Sequence, residues 1–377
     1  MAYLDNSATT AVCCEAIEQM VDTMQNGFGN PSSLHRMGIE AEARVRAARE
    51  AVASLIGASP EQIVFTSGGT EANNLAILGS AAALARSSRK AVTTVSEHAS
   101  VAACFDELER QGWQVTRVGF TEDGGIDPAS VAAACDEDTA LVSVMTINNE
   151  IGSLNDIARM VKLVKKAAPK AVFHTDAVQA AGKIAVKAER WGVDLLTVSS
   201  HKIHGPKGCG ALYIRKGVRV LPRQIGGGQE NRLRSGTEGV PAIVGFGAAA
   251  SVIPSFAEQE AHYRRLRERL TAGLADLEDV RWHIPAEGVP YIVNLSVVGF
   301  RSETLLHFLA QREVFVSSGS ACSKGKRSPV LTALGLSEQE TDAALRISFC
   351  RDNTEEDIDR LCEGLHEAVA TLQRRKR

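Results

Sequence analysis

The sequence predicts an α/β fold, with a mostly parallel sheet in a large domain and a smaller α+β domain after it. Between residues 62 and 214, short apolar runs alternate with segments of helical periodicity. Repeated βα units of this kind favour a parallel sheet covered by helices on both faces. A Glu- and Arg-rich helix over 257–277 ends the alternation, and 377 residues exceed one small domain. We therefore assign residues 13–256 to the large domain and residues 1–12 plus 257–377 to the small one.

The elements of the large domain follow from local periodicity and from Gly/Pro breaks. Residues 3–10 read as an extended segment, and Gly57 ends the second of the two helices that follow it. The predicted helices are 14–24, 39–56, 71–85, 100–111, 129–134 and 156–168. The predicted strands are 62–66, 91–95, 114–118, 140–145, 171–175, 194–198 and 211–214.

The small domain is predicted by the same signals after the bridging helix 257–277. Its strands are predicted at 291–297, 314–317 and 345–349. Its helices are predicted at 302–311 and 355–373, the last of them amphipathic.

Composition excludes several classes of function. A net charge of −3 gives no reason to expect a nucleic acid or an anionic membrane as partner. The first ten residues have no basic region and no apolar core, and no apolar run reaches the length of a membrane span. We therefore expect a cytoplasmic protein. The eight cysteines are scattered without paired or metal-ligand spacing, which predicts neither a disulfide framework nor a metal site.

A lysine stands at the end of one predicted strand. The apolar run 194–198 leads into Ser199, Ser200, His201 and Lys202, and a Gly/Pro-rich turn follows. In open α/β sheets chemistry gathers at the carboxyl ends of strands. A lysine there can form a Schiff base with a carbonyl cofactor, for which pyridoxal 5′-phosphate (PLP) is the usual choice. The alternative is a surface lysine beside a turn.

Three other strand ends offer complementary groups. The turn 67–70, with Gly69 and Thr70, lies between a strand and a helix, where N–H groups, a hydroxyl and the helix dipole suit a phosphate. The alternative is a turn without a ligand. His98 follows the next strand, where an imidazole can lie flat on a cofactor ring or can serve only as a histidine at a helix start. Asn148 and Asn149 follow the strand 140–145.

A carboxylate ends the strand that precedes the lysine strand. Asp176 can pair with a protonated pyridine nitrogen and strengthen the ring as an electron sink, and Gln179 can reach the ring's oxygen substituent. The alternative for Asp176 is a helix cap. Taken together, four strand ends offer a phosphate grip, a stacking imidazole, a pyridinium partner and a Schiff-base lysine.

At these residues the chain resembles the cysteine desulfurases, a branch of the fold-type I PLP enzymes in the class V aminotransferase family. The resemblance runs nearly from end to end. Its motifs are, in chain order, YLDNSATT (3–10), FGNPSS (28–33), FTSGGTE (65–71), NNEIG (148–152), HTDAVQ (174–179), SSHKIHGPKG (199–208), RSGT (234–237) and SSGSAC (317–322).

The resemblance implies roles for individual residues. Lys202 would form the Schiff base with PLP, and Arg346 would clamp the substrate carboxylate, a task for which a bidentate guanidinium is suited. Thr237 would reach the phosphate in the other subunit, which implies a homodimer. The implied cofactor-binding residues are Gly69, Thr70, His98, Asn149, Asp176, Gln179, Ser199, His201, Lys202 and Thr237, with His98 also catalytic and Asn149 also near the substrate.

Cys322 is the distinctive residue. It lies in a run of small residues followed by Lys and Arg, a setting that favours an exposed thiolate, whereas the alternative is a buried inert cysteine. The resemblance implies that Cys322 attacks the sulfur of PLP-bound L-cysteine, yielding L-alanine and a persulfide. A sulfur-acceptor protein, such as an iron–sulfur scaffold or a tRNA-thiolation protein, would then take the sulfur.

Three alternatives stay open at this point. Selenocysteine lyase activity and another aminotransferase-like PLP reaction would use the same fold and cofactor. A non-catalytic carrier or scaffold would need neither Lys202 nor Asp176, and both are present. The thiol loop argues against simple aminotransfer, which needs no nucleophilic cysteine.

Overall fold

The structure is a computed structural model that describes residues 1–318 and 327–374. Its strands are β1 (Ala2–Tyr3), β2 (Ile63–Thr66), β3 (Lys90–Thr94), β4 (Gln114–Val118), β5 (Thr139–Ser143), β6 (Val172–Asp176), β7 (Leu195–Ser199), β8 (Gly210–Ile214), β9 (Val280–Trp282), β10 (Ile292–Val297), β11 (Val314–Phe315), β12 (Ser317–Ser318) and β13 (Ala344–Ser348). Its α-helices are α1 (Cys14–Asn26), α2 (Arg36–Leu55), α3 (Gly69–Leu84), α4 (Ala99–Arg110), α5 (Pro128–Ala133), α6 (Ile157–Ala167), α7 (Ala188–Trp191), α8 (Val240–Ser251), α9 (Phe256–Gly273), α10 (Ser302–Ala310), α11 (Pro329–Ala333), α12 (Glu338–Asp342) and α13 (Glu355–Thr371).

The central sheet has seven strands in the order β2-β8-β7-β6-β5-β3-β4. Strands β7, β6, β5, β3 and β4 pair in parallel, whereas β8 is antiparallel to both of its neighbours. Strands such as β5 and β7 are buried along their whole length, as expected when helices cover both faces of a parallel sheet. The predicted α/β fold with a mostly parallel sheet is therefore confirmed.

The reversed strand β8 follows from its short connection to β7. Residues 200–209 are too few for the crossover that a parallel neighbour requires, so the chain turns back directly. A Cβ atom on Gly210 would lie 2.7 Å from the carbonyl carbon of Gly68. Only glycine therefore lets the end of this turn pack against the start of α3, which brings two of the predicted strand-end motifs together.

A second sheet contains β12, β13, β10 and β9 in that order, all antiparallel, and β1 pairs in parallel with β11. The predicted single strand 314–317 is wrong. The chain leaves one sheet at Phe315 and enters another at Ser317, because the N-terminal strand supplies the partner for β11. Local periodicity carries no information about so distant a partner.

Helix α8 was not predicted, and its composition explains the omission. The helix is apolar nearly all round, with buried Val240, Ile243, Val244 and Phe246, so it lacks the polar face that marks an amphipathic helix. It packs between α1 and α2 in the core. In the part of the chain that the structure describes, no single helix is long and apolar enough to cross a membrane, although α8 and α9 meet those criteria jointly across an 83° bend.

One hydrophobic cluster runs through both sheets. It contains Phe173 and Leu196 from the central sheet together with Leu295 and Ile347 from the second sheet. The N-terminal strand β1 pairs with β11, which agrees with grouping residues 1–12 with the C-terminal part. The division into domains at residue 256 stays a prediction, because the shared core does not mark a boundary there.

A left-handed backbone segment leads into the predicted RSGT motif. Glu230, Asn231 and Arg232 have φ angles of 48°, 55° and 65°, a conformation that is costly for residues with side chains. The buried Glu230 carboxylate accepts two hydrogen bonds of 2.8 Å from Arg49 and one of 2.9 Å from the N–H of Phe65. This bidentate ion pair offsets the backbone strain and holds the segment in place.

We expect Arg49→Met to destabilise the fold, because it leaves the Glu230 carboxylate buried without its charged partner. Breaking one side of a buried ion pair typically costs about 3–5 kcal/mol of unfolding free energy. Urea denaturation measures the loss. Arg46→Met is the matched control on the same helix, since Arg46 pairs with Glu42 on the exposed surface and should lose at most about 1 kcal/mol. Equal losses in the two variants would contradict the assignment.

Candidate active site

A cavity of about 280 Å³ opens at the carboxyl ends of β2, β3, β5, β6 and β7. Such an edge is where ligands bind in open α/β sheets. The cavity brings together ten of the residues singled out from the sequence. They are Gly69, Thr70, His98, Asn149, Asp176, Gln179, Ser199, His201, Lys202 and Arg346.

Lys202 lies on a single turn of 3-10 helix, Ser200–Lys202, directly after β7. Its Nζ donates hydrogen bonds to the carbonyl oxygens of Ser7 and, at 2.8 Å, Ala8. The N-terminal segment therefore forms part of the cavity wall. Ser7 and Ala8 belong to the YLDNSATT motif but received no role from the sequence, since nothing local connects them with a lysine so far along the chain.

His98 has the position of a helix-start histidine and also faces the cavity, so its predicted stacking role stays a prediction. It is the N-cap of α4, where its Nδ1 accepts a hydrogen bond of 3.1 Å from the backbone N–H of Ser100. Its ring also lines the cavity. Burial lowers the pKa of His98, which favours the neutral imidazole suited to stacking on an aromatic ring.

Asp176 is the last residue of β6 and is buried. Its Oδ2 accepts a hydrogen bond of 2.7 Å from Asn73, and its Oδ1 accepts one of 2.9 Å from the backbone N–H of Val178. The carboxylate is thus oriented before any ligand binds. Asn73 was missed in the sequence, although an amide among the buried alanines and leucines of α3 is a usable signal.

The opposite wall offers groups that suit an anion. Helix α3 begins at Gly69, so its unpaired N–H groups lie at the cavity. The Ser199 Oγ is buried and has no hydrogen-bond partner among the described residues. Burial, with the charge of Lys202 adding to it, lowers the pKa of His201 to about 4, so its imidazole is neutral and offers one N–H. An orphaned hydroxyl beside a helix start fits a phosphate group.

Arg346 projects from β13 into the same cavity and is buried. Its Nη2 lies 2.8 Å from the Asp5 carboxylate, and its Nη1 donates a hydrogen bond of 3.1 Å to the carbonyl oxygen of Asn149. Its Nε is buried without a partner in the described part of the chain. The guanidinium is therefore oriented, and its five N–H groups exceed these two contacts, so donors remain for a carboxylate ligand. Asp5 belongs to the YLDNSATT motif, but its pairing with Arg346 was not predicted from the sequence.

One predicted residue lies apart from this cavity, and another lies outside the described residues. Thr237 is exposed and lines a separate cavity of about 190 Å³, together with Ser67, Gly208 and Arg234. Cys322 lies outside the described residues. Their roles stay predictions.

The prediction that the protein holds no metal also stays a prediction. Ligand-type atoms of His204, Cys350 and Asp352 lie within 4.8 Å of one another. The positive charges of Lys183 and Arg351 act on this group, which disfavours a divalent cation there.

Glu97 is a buried carboxyl group beside the cavity for which the sequence predicted no role. It accepts hydrogen bonds of 2.9 Å from Thr94 Oγ1 and 2.7 Å from the N–H of Met145. Its second oxygen has no partner among the described residues. Burial raises the pKa of Glu97 to about 8, and the Asp176 charge adds to the rise. The carboxyl is therefore largely protonated at neutral pH.

The fold and the cavity define an α/β enzyme of the aminotransferase class-V type. The family model described as aminotransferase class-V matches residues 2–361, and the chain belongs to that family.

Within the family, the chain is similar to cysteine desulfurases. It is 43% identical to "Cysteine desulfurase IscS" of Neisseria meningitidis serogroup A, over 98% of this chain and 93% of that protein. It is 39% identical to "Cysteine desulfurase IscS" of Methanosarcina thermophila, over 98% of this chain and 92% of that protein. Among solved structures, a "NIFS-LIKE PROTEIN" superimposes with a TM-score of 0.93 at 37% identity, covering 98% of this chain and all of that one (100%). The resemblance predicted from the motifs is confirmed.

Glu97→Gln should change how stability depends on pH. In the folded protein the pKa of Glu97 is about 8, which is above the pKa of a glutamate in an unfolded chain. Between these two pKa values the folded state binds a proton that the unfolded state has lost. The unfolding free energy of the wild type therefore falls as the pH rises from the lower pKa to the higher one. The variant lacks this loss. The unfolding free energy of the variant minus that of the wild type should therefore increase by up to about 1.4 kcal/mol per pH unit between about pH 5 and about pH 8.

Urea denaturation across this pH range measures the difference. Glu122→Gln is the control, because Glu122 is exposed on a loop. A difference between Glu97→Gln and the wild type that stays constant with pH would show that the carboxyl is ionised in the folded protein.

Proposed function

We propose that this protein is a PLP-dependent cysteine desulfurase that converts L-cysteine into L-alanine and holds the sulfur as a persulfide on Cys322. The observation that carries the proposal is the convergence of Lys202, Asp176 and Arg346 on one cavity. These three residues provide an amine, a carboxylate and a carboxylate-binding guanidinium. Aspartate and lysine would hold the cofactor, and arginine would hold an amino acid.

The cavity residues fit PLP. Bound PLP supplies an electron sink that withdraws electrons from the bonds of an attached amino acid. The start of α3, the orphaned Ser199 hydroxyl and His201 would hold the phosphate group. Asp176 would hold the pyridine nitrogen as a charged partner, and Gln179 would face the ring oxygen.

Each residue at the reacting end has a task that its own chemistry allows. Lys202 would hold the cofactor through Nζ and would move a proton at that atom during turnover. Neutral His98 would lie on the ring face and exclude water from it. Arg346 would orient the substrate carboxylate through its remaining N–H groups, while Asp5 and Asn149 keep the guanidinium in place.

The sulfur step needs no external oxidant. L-cysteine and the Cys322 thiol together contain the atoms of L-alanine and a Cys322 persulfide, so a C–S bond breaks while an S–S bond forms. The thiolate is the attacking form, and Lys324, Lys326 and Arg327 nearby in the sequence favour it. An acceptor thiol on an iron–sulfur scaffold or a tRNA-thiolation protein would then take the terminal sulfur. A reducing cytoplasm suits this chemistry, and the described cysteines are all free thiols.

An assay of the purified protein with L-cysteine tests the proposal. We expect the wild type to form alanine and, in the presence of a thiol reductant, sulfide, with an added sulfur atom mapped to Cys322 by mass spectrometry. Cys322→Ala should retain the bound cofactor and lose at least about 99% of sulfide release, because it lacks the attacking thiolate. Lys202→Ala should lose the covalently held cofactor.

Cys135→Ala is the matched control, because Cys135 precedes the start of β5 and so lies at the edge of the sheet opposite the cavity. Normal sulfide release by Cys322→Ala would remove the persulfide step. A wild-type protein that binds PLP but forms no alanine from L-cysteine would direct attention to selenocysteine.

We also propose that the protein is a homodimer. Six large apolar side chains are exposed on α1, at the start of α2 and between them, and we call them the α1–α2 patch. They are Ile17, Val21, Met24, Phe28, Leu34 and Ile39. The first three follow helical spacing on one side of α1. Several exposed apolar side chains this near one another along the chain are typical of a protein interface. A second subunit would also give exposed Thr237 its predicted partner.

Charges in the α1–α2 patch should break the dimer. We expect Val21→Glu combined with Met24→Glu to shift the protein to monomers in size-exclusion chromatography with light scattering, because each buried carboxylate would need desolvation. Ile284→Glu is the control, since Ile284 is an exposed apolar residue after β9. An unchanged dimer in the double variant would exclude this surface as the interface.

A further inference from the structure

Lys183 is a second buried lysine near the cavity, and the proposed reaction assigns it no task. Its side chain is only 7% exposed, and it follows Gln179 by four residues after β6. Lysine is almost never fully buried unless it is paired. Within the described residues, its Nζ contacts the Gln179 side-chain oxygen at 3.5 Å and lies 5.0 Å from the centroid of the Tyr291 ring.

These contacts determine how the Gln179 amide is oriented. The protonated form of Lys183 only donates hydrogen bonds, so the amide oxygen faces it, in agreement with the bond that the amide nitrogen makes on the other side. The amide nitrogen donates a hydrogen bond of 3.0 Å to the Ser7 carbonyl oxygen, which only accepts. The Tyr291 hydroxyl donates a bond of 3.0 Å to the Gln179 backbone carbonyl and fixes the backbone. With both ends of the amide specified, the remaining hydrogen of the Gln179 nitrogen is the one available to the cavity.

The electrostatic surroundings of Lys183 are mainly positive. Burial lowers the pKa of Lys183 to about 7, and the charge of Lys202 lowers it further. The titratable and charged groups that interact with it are Lys202, Arg346, Cys350, His201 and His204. Burial raises the pKa of Cys350 to about 11, so this thiol carries no compensating charge at neutral pH. A buried cation in such a place is stabilised when an anion enters the neighbouring cavity.

We propose that Lys183 is a positioning residue of the active site, whose ammonium group fixes Gln179 as a hydrogen-bond donor and so selects a ligand with an anionic oxygen at that point. For PLP this oxygen is the ring phenolate. The inference rests on the proposed function and deepens it, because it specifies the charge state in which the cofactor is held. The positive charge of Lys183 also makes protonation of the neighbouring Lys202 nitrogen less favourable.

The test is a pH titration of the visible absorbance of bound PLP in the full-length holoenzyme. Lys183→Met preserves side-chain length and removes the charge. Without that charge, the protonated form of the Lys202-linked cofactor is favoured, so the midpoint should rise by about one pH unit, a tenfold change in proton affinity. We expect kcat to fall with little change in KM, because Lys183 does not line the cavity that holds the substrate.

A double-mutant cycle separates positioning through Gln179 from a direct charge effect. Lys183→Met should raise the dissociation constant of PLP, because the Gln179 amide is no longer held as a donor. Gln179→Leu removes that amide, so the increase caused by Lys183→Met should be smaller in the Gln179→Leu background. Lys187→Met is the matched control, because Lys187 follows four residues later on the same segment and is exposed. It should leave both the midpoint and the dissociation constant unchanged. Lys183→Gln provides a polar neutral variant in case the methionine variant does not fold, and it should shift the midpoint in the same direction.

Two results would overturn the inference, and they differ from each other. If Lys183→Met and Lys183→Gln lower the unfolding temperature but leave the absorbance midpoint at the wild-type value, Lys183 supports the fold only. If the wild type itself takes up PLP without a visible absorbance band, the proposed function fails and the inference fails with it. A raised midpoint together with coupling to Gln179 supports the proposal.

Discussion

The N-terminal segment 5–10 ties the two sheets to the lysine turn, and the cavity depends on these contacts. Asp5 pairs with Arg346 of the second sheet at 2.8 Å, while the Ser7 carbonyl accepts hydrogen bonds from both Lys202 and Gln179 of the central sheet. Thr10 donates a backbone hydrogen bond of 2.9 Å to the His201 carbonyl. Together with the bond from Arg346 to the Asn149 carbonyl, this segment brings the guanidinium and the amine to one cavity.

The ionisable groups near the cavity differ in how deeply they are buried and in which partners they have. Asp176 accepts a hydrogen bond from Asn73, and Asp5 forms an ion pair with Arg346. Glu97 has no charged partner among residues 1–318 and 327–374, and burial raises its pKa to about 8. Burial lowers the pKa of His98, and it lowers that of His201 to about 4, so both rings are neutral. The site therefore combines fixed charges with neutral donors, as expected where a charged ligand supplies the missing partners.

Local sequence signals were sufficient where a residue's role depends on its own strand end. Asp176, Lys202 and the turn 67–70 all follow apolar runs that end in polar residues, and parallel strands bring such ends to one edge. Asn73, Glu97 and Lys183 were missed, because each acts through a neighbour that is distant in sequence or lies inside an element. Helix α8 was missed because an apolar helix in the core lacks the periodicity that reveals an amphipathic one.

The sequence by itself determined the fold class, the family and the chemistry of the strand ends, because apolar periodicity and short motifs are local properties of the chain. The tertiary structure alone decided which donors and acceptors meet. It set the orientation of the Arg346 guanidinium by Asp5, the direction of the Gln179 amide by Lys183, and the transfer of the chain from β11 to β12. These outcomes depend on distances between residues far apart along the chain, and burial then sets the energy of each contact.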